Sequence, residues 1–108
     1  MSVKKISFEE AKQLMDTVEN LVIVDVREES EYNTGHAIGA ELLSMSELTS
    51  DEGAARAAEV IPSKDTPLIV YCRSGVRSRK SARILSAFGY EEIYDVGGLS
   101  GWPYGLEY

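Results

Sequence analysis

Two apolar runs constrain this chain most. Leu21-Val22-Ile23-Val24-Asp25-Val26 and Leu68-Ile69-Val70-Tyr71 are rich in β-branched residues and keep no polar face. Such runs read as strands covered on both sides, as in a parallel sheet between helices. Around them the spacing turns helical. Ser7-Phe8-Glu9-Glu10 has the form of a capping box, and Ala11, Leu14, Met15 and Val18 then recur at helical spacing, predicting a helix over about 8–18. Residues 28–33 fit a short helix stopped at Gly35, residues 46–60 a longer one closed by Pro62, and residues 78–88 another stopped at Gly89. Short strands are expected at 4–6, within 37–43 and at 93–96. Strands alternating with helices give an α/β class with a mostly parallel central sheet. At 108 residues, one domain over 1–108 is expected.

In open α/β sheets, sites form at the carboxyl ends of the strands. Cys72, the only cysteine, stands where the second apolar run ends. After it come Arg73, Ser74, Gly75, Val76 and Arg77, leading into the helix expected to start near Ser78. Backbone N–H groups of such a loop converge, and a helix N-terminus adds partial positive charge. A thiolate is stabilised there. Arg73 and Arg77 are placed to bind an anionic group beside the sulfur. The plainer alternative is a small core cysteine. Asp25 interrupts the first run near its end. Structural roles are expected for Asp25 and Arg27, with Asp25 accepting from loop backbone and Arg27 pairing with Glu31 four residues on. The alternative for both is a part in orienting the loop.

The charge is unevenly spread. Eleven basic residues against eighteen acidic ones give −7, which argues against nucleic acid or an anionic membrane surface as a partner. Yet Arg73, Arg77, Arg79, Lys80 and Arg83 fall within eleven residues that hold no acid. A solvated helix face is the ordinary reading of such a run. Its place directly after the cysteine favours a face that steers anions to the thiol or recognises an acidic partner. No apolar stretch is long enough to span a bilayer, and no signal peptide is evident. A single cysteine without a Cys/His cluster offers neither an internal disulfide nor a zinc site. A reducing cytoplasm is expected.

Four elements, in order along the chain, resemble the single-domain rhodaneses, a sulfurtransferase family. They are Asp25-Val26-Arg27-Glu28 with Glu31-Tyr32; Gly35-His36 with Gly39-Ala40; the loop Cys72-Arg73-Ser74-Gly75-Val76-Arg77-Ser78; and Gly97-Gly98-Leu99-Ser100-Gly101-Trp102. Ala37-Ile38 replaces the commoner Ile-Pro after the Gly-His pair. The resemblance implies a three-layer fold with a five-stranded, mostly parallel sheet. It implies Cys72 as nucleophile, taking a sulfane sulfur from a small anionic donor such as thiosulfate and passing it to a thiol, cyanide or a protein acceptor. Residues 73–77 would hold the anion, supported by Asp25, Arg27 and Ser78. No metal or organic cofactor is implied, and a monomer is expected. It also places His36, the only histidine, in a turn away from the thiol.

Two other readings stay open. One is a sulfur carrier or relay serving a specific partner. The other is a cysteine-dependent phosphatase or arsenate reductase, whose related cradle has five residues between Cys and Arg. Here only four intervene, which fits a smaller pocket. A non-catalytic binding module ranks lower, since Cys72 is present.

Overall fold

The computed structural model describes residues 3–108. Five strands form a parallel sheet: β1 (Val3–Lys5), β2 (Val22–Asp25), β4 (Glu41–Leu42), β5 (Leu68–Cys72) and β6 (Ile93–Gly98), in the order β1-β6-β5-β2-β4. The two apolar runs are thus neighbours, β2 beside β5, near the middle of the sheet. β5 is buried along its whole length. Its side chains alternate between two cores, as the period of a strand requires. Leu68, Val70 and Cys72 join Val24, Val26, Leu43, Ala57, Ile61, Ala82 and Leu85 on one face. Ile69 and Tyr71 join Ile6, Ala11, Ala37, Ala40 and Val96 on the other. Helices α3 (Met45–Leu48), α4 (Gly53–Val60) and α5 (Val76–Ala87) supply the first core; α1 (Phe8–Thr17) covers the second. Helix–sheet–helix makes the three layers expected.

The capping box forms as read: Ser7 Oγ accepts from the Glu10 N–H, and the Glu10 carboxylate accepts from the Ser7 N–H. Other expectations need correction. The helix expected over 46–60 is two helices. α3 has its own Ser44/Glu47 capping box. It ends where the Thr49 and Ser50 hydroxyls donate to the carbonyls of Met45 and Glu47, offering the backbone a turn in place of another helical residue. The strand expected within 37–43 is also two pieces. β3 (His36–Ala37) pairs antiparallel with β7 (Leu106–Glu107) in a separate small sheet, while β4 pairs with β2. α2 (Glu29–Tyr32) is shorter than expected, and α5 begins at Val76, ahead of Ser78.

One irregularity sets up the site. Between β5 and β6 the register shifts, so that Val70 faces Asp95 but Tyr71 faces Gly97 and Cys72 faces Gly98. The extra residue in β6 is a bulge, a device that re-aims the chain at a strand end. It brings the glycine pair level with the cysteine. Among the described residues no helix is long and apolar enough to cross a membrane.

Candidate active site

Cys72 is the last residue of β5, and α5 starts four residues later. Only Arg73, Ser74 and Gly75 make the connection. Gly75 occupies the N-cap position with φ +96°, a left-handed conformation that glycine adopts without the Cβ penalty. This turn points the Gly75 N–H back at the strand end, where it donates to Cys72 Sγ at 2.9 Å. The N–H groups of Val76, Arg77 and Ser78, in the first turn of α5, have no intrahelical acceptor by helix geometry. The sulfur therefore lies at the positive end of a twelve-residue helix.

The glycine pair backs this loop. A Cβ at Gly98 would lie 2.6 Å from the Arg73 carbonyl oxygen and 3.2 Å from Ser74 Cα, so no side chain fits there without moving the loop. The Leu99 N–H donates to the Cys72 carbonyl at 2.9 Å. Ser78, buried in the first turn of α5, donates its hydroxyl to Asp95 Oδ1 at 2.7 Å, and that same oxygen accepts from the Gly97 N–H. Asp95 thus ties α5 to β6 directly behind the loop.

Beside the loop is a cavity of about 390 Å³ lined by Arg27, Glu31, Thr34, Arg73, Leu99 and Ser100. Arg73 is exposed and reaches into its lining. Cys72 itself is 0% exposed and packs with the first core, as a structural cysteine also would. What distinguishes it is the N–H contact and the loop over it. Another cavity of similar size, lined by Lys4, Ile6, Glu10, Gln13, Leu14, Thr17 and Tyr94, borders α1 and shares no residue with this end of the sheet.

The charged residues pair differently from the expectation. Arg77 makes a two-pronged ion pair with Glu31, at 2.6 and 2.9 Å. The guanidinium holds the Glu31 carboxyl down to about 2, and Glu31 in turn raises the Arg77 pKa. Arg27 pairs with Asp25 at 2.7 Å and donates to the Gly35 carbonyl at 2.6 Å. The expected Arg27–Glu31 pair does not form because α2 starts only at Glu29, leaving Arg27 outside the helical spacing. Asp25 accepts from the backbone N–H of Arg27, not from the 73–77 loop. Its other oxygen accepts from the Tyr71 hydroxyl at 2.6 Å, and that hydroxyl accepts from the Ala37 N–H. Burial, then the bond to Asp25, raises the Tyr71 pKa well above the ordinary phenol value. The Asp25–Arg27–Tyr71 cluster is a buried clamp, of which Arg27 lines the cavity, with no bond to the sulfur among those the structure contains.

His36, expected in a turn, stands in the two-residue strand β3 and has no bond to Cys72 among the described residues. Its ring stacks on Tyr32 at 3.7 Å, with Nδ1 3.0 Å from the Tyr32 carbonyl oxygen and Nε2 3.4 Å from Glu107. Of the residues singled out in the sequence, Cys72, Arg73, Ser74, Gly75, Val76, Arg77 and Ser78 are brought together in the loop and the first turn of α5. Asp25 and Arg27 sit one strand over. The bonds of Tyr71 and Asp95 and the pairing of Glu31 with Arg77 in place of Arg27 were not anticipated. Asp95 carried a readable signal, an acid near the end of an apolar strand, the same signal that marked Asp25.

Residues 7–103 match the family described as Rhodanese-like domain. The "Thiosulfate sulfurtransferase GlpE" of Pseudoalteromonas translucida is 32% identical over 105 residues, covering 94% of this chain and 90% of that protein. The protein of the same name from Coxiella burnetii is 35% identical over 103 residues, covering 94% and 89%. Among solved structures, "rhodanese with anions from E. coli" superposes with a TM-score of 0.70 at 29% identity, covering 81% of this chain and 96% of that one.

Proposed function

The chain belongs to the rhodanese-like domain family, and from that premise we propose that it is a sulfurtransferase of the thiosulfate type working through a Cys72 persulfide. The Cys72 thiolate attacks the outer sulfur of thiosulfate. The sulfur–sulfur bond of the donor breaks and sulfite leaves with its electron pair. Cys72 then carries the sulfane sulfur as a persulfide. An acceptor nucleophile, either a thiol or cyanide, attacks that outer sulfur and restores the thiolate. The two half-reactions share one covalent intermediate, so the kinetics are ping-pong.

The observation that carries this reading is the Gly75 N–H on Cys72 Sγ beneath the open first turn of α5. A persulfide spreads negative charge over two sulfurs. Fixed N–H donors of residues 73–77 stabilise it without reorganising, as an oxyanion hole does for oxygen. Arg73, at the cavity beside the loop, takes the sulfonate end of the donor. Arg77 adds its field from one turn away while braced by Glu31. Four residues between Cys72 and Arg77, one fewer than in the phosphatase cradle, make a shorter loop, which favours this chemistry over phosphoryl transfer. Relatives named as thiosulfate sulfurtransferases support the donor assignment. A lone thiol of this kind works in a reducing compartment, and the cytoplasm is the proposed location.

Intact mass of the reduced protein after brief exposure to thiosulfate tests the proposal. The expected result is a gain of one sulfur atom, removed by cyanide and missing in Cys72→Ser, which keeps its fold. A sulfur gain in Cys72→Ser, or none in the parent protein, overturns the mechanism.

A further inference from the structure

Helix α5 breaks the charge rule for helices. The N-terminal end of a helix favours acids and disfavours cations. The first turn of α5 contains no acid and begins a segment carrying Arg77, Arg79, Lys80 and Arg83. Arg77 is neutralised by Glu31. Arg79, Lys80 and Arg83 are exposed, as is Arg73, and among the described residues no carboxylate pairs with any of these four. The setting makes this conspicuous. Five of the eleven basic residues stand in 73–83, and the other six are set against all eighteen acids. The protein has ample acid to pair this helix and leaves Arg79, Lys80 and Arg83 unpaired.

The unpaired cations are ordered. Val76, Arg79, Lys80 and Arg83 are spaced i, i+3, i+4, i+7, so they form one stripe along α5. Ser78, Ser81, Ala82 and Leu85 face the core on the opposite side. The stripe begins at Val76, an apolar side chain 59% exposed, four residues past the thiol. It then runs about 10 Å away from the site at 1.5 Å per residue. That is longer than a small inorganic anion needs.

We propose that the α5 stripe is the docking surface for an acidic polypeptide segment carrying the acceptor thiol. The inference rests on the persulfide reading above and names the class of acceptor. An acidic segment lies along Arg79, Lys80 and Arg83, and its cysteine passes Val76 to reach the sulfur on Cys72. The acceptor thiolate attacks the outer sulfur, the Cys72–sulfur bond breaks, and Cys72 leaves as the thiolate. The footprint is small and mainly electrostatic, which suits fast encounter and fast release. A partner that must depart with its sulfur needs both.

The test uses short peptides with one central cysteine, flanked by Asp and Glu or by Lys. Protein loaded with sulfur from thiosulfate is expected to pass it to the acidic peptide about tenfold or more faster than to the basic one at low ionic strength. Added salt narrows the gap. Arg79→Ser/Lys80→Ser/Arg83→Ser is expected to erase the preference while still loading one sulfur, and Lys4→Ser/Lys5→Ser to leave it intact. Equal rates for the two peptides, or a preference surviving in the α5 variant, overturns the proposal. Fluorescence anisotropy with serine in place of the peptide cysteine reads the surface independently of sulfur chemistry. Charge-selective binding without any loading would sink the persulfide reading and keep the surface. Loading without charge selectivity would sink the surface alone.

Discussion

Helices α1 and α5 are built by opposite rules. α1 opens on a complete capping box, has Glu9 and Glu10 in its first turn, and buries Ala11 against the sheet. Each local preference at its N-terminus agrees with the helix that forms. α5 opens on a left-handed glycine with no side-chain cap, has no acid in its first turn, and carries cations where the dipole disfavours them. The sequence could have supplied a cap, as Ser7 and Ser44 do elsewhere. A capping oxygen over the first turn of α5 would instead occupy the N–H groups that face Cys72. The difference teaches that the α5 terminus keeps its donors and its charge for something outside the fold. Local rules broken in one place and kept in another mark a functional end.

The severest way to break this arrangement is to move the loop. Gly98→Ala puts a methyl 2.6 Å from the Arg73 carbonyl. The loop must shift, and the Gly75 N–H no longer meets the sulfur. Sulfur transfer is expected to fall about 100-fold, since misplacement by an ångström costs that much. Steady-state rates with thiosulfate and cyanide measure it, with circular dichroism to show that the sheet persists. Activity within twofold of the parent would mean that the loop geometry does not matter. Gly39→Ala is the control: its Cβ meets nothing within 4 Å, though its positive φ costs some stability.

The next effect separates the two arginines of the loop. Arg73 is unpaired and lines the cavity; Arg77 is held by Glu31. Arg73→Ala is expected to raise the thiosulfate KM about tenfold with a smaller change in kcat, the signature of lost charge-assisted binding. Arg77→Ala is expected to raise it too, by exposing an unpartnered carboxylate at the cavity. Removing Glu31 as well should return most of that loss. A double variant no better than Arg77→Ala would give Arg77 a direct contact with the donor.

How much of this could be read beforehand follows from the range of each interaction. The two apolar runs announced a parallel sheet, and the strand end expected at Cys72 is where β5 stops. The start of α5 was misplaced because its N-cap is a glycine with positive φ, which looks like loop. β3, β4 and β7 are two residues each, and only long-range pairing creates them. The Tyr71–Asp25 bond depends on the register that sets Asp25 beside Tyr71, 46 residues away. The Glu31–Arg77 pair spans the same separation and requires α2 to meet the start of α5. No local pattern contains either. The resemblance to a family singled out residues 72–78 but was silent on how the arginines pair.

Glu31→Gln refines the separation of the two arginines. The amide no longer holds Arg77, which is then free to face the donor. The thiosulfate KM is expected to fall about two- to fivefold, an improvement on the parent. Stability changes with a defined sign. The Glu31 carboxyl, ordinarily near 4.5, is held at about 2 in the fold by the Arg77 bond. Its pair therefore adds stability that is fully present above pH 4.5 and is lost as pH falls toward 2. The Tm difference between parent and Glu31→Gln should close over that window. A difference that persists at pH 2 would assign the pair a packing role.

The smallest effects test the comparison itself. Ser7→Ala removes the α1 cap and is expected to lower Tm by about 4–8 °C without changing transfer rates. Arg79→Glu does the reverse at α5. An acid in the first turn suits the dipole, so Tm is expected to rise by about 2–5 °C. Transfer to an acidic thiol peptide should fall in the same variant, while loading by thiosulfate reaches the same end point. A change that makes the helix better and the acceptor step worse is what a terminus kept for a partner must show. If Arg79→Glu raises Tm and leaves that step untouched, the cations on α5 are only a solvated face, and the two helices differ for no functional reason.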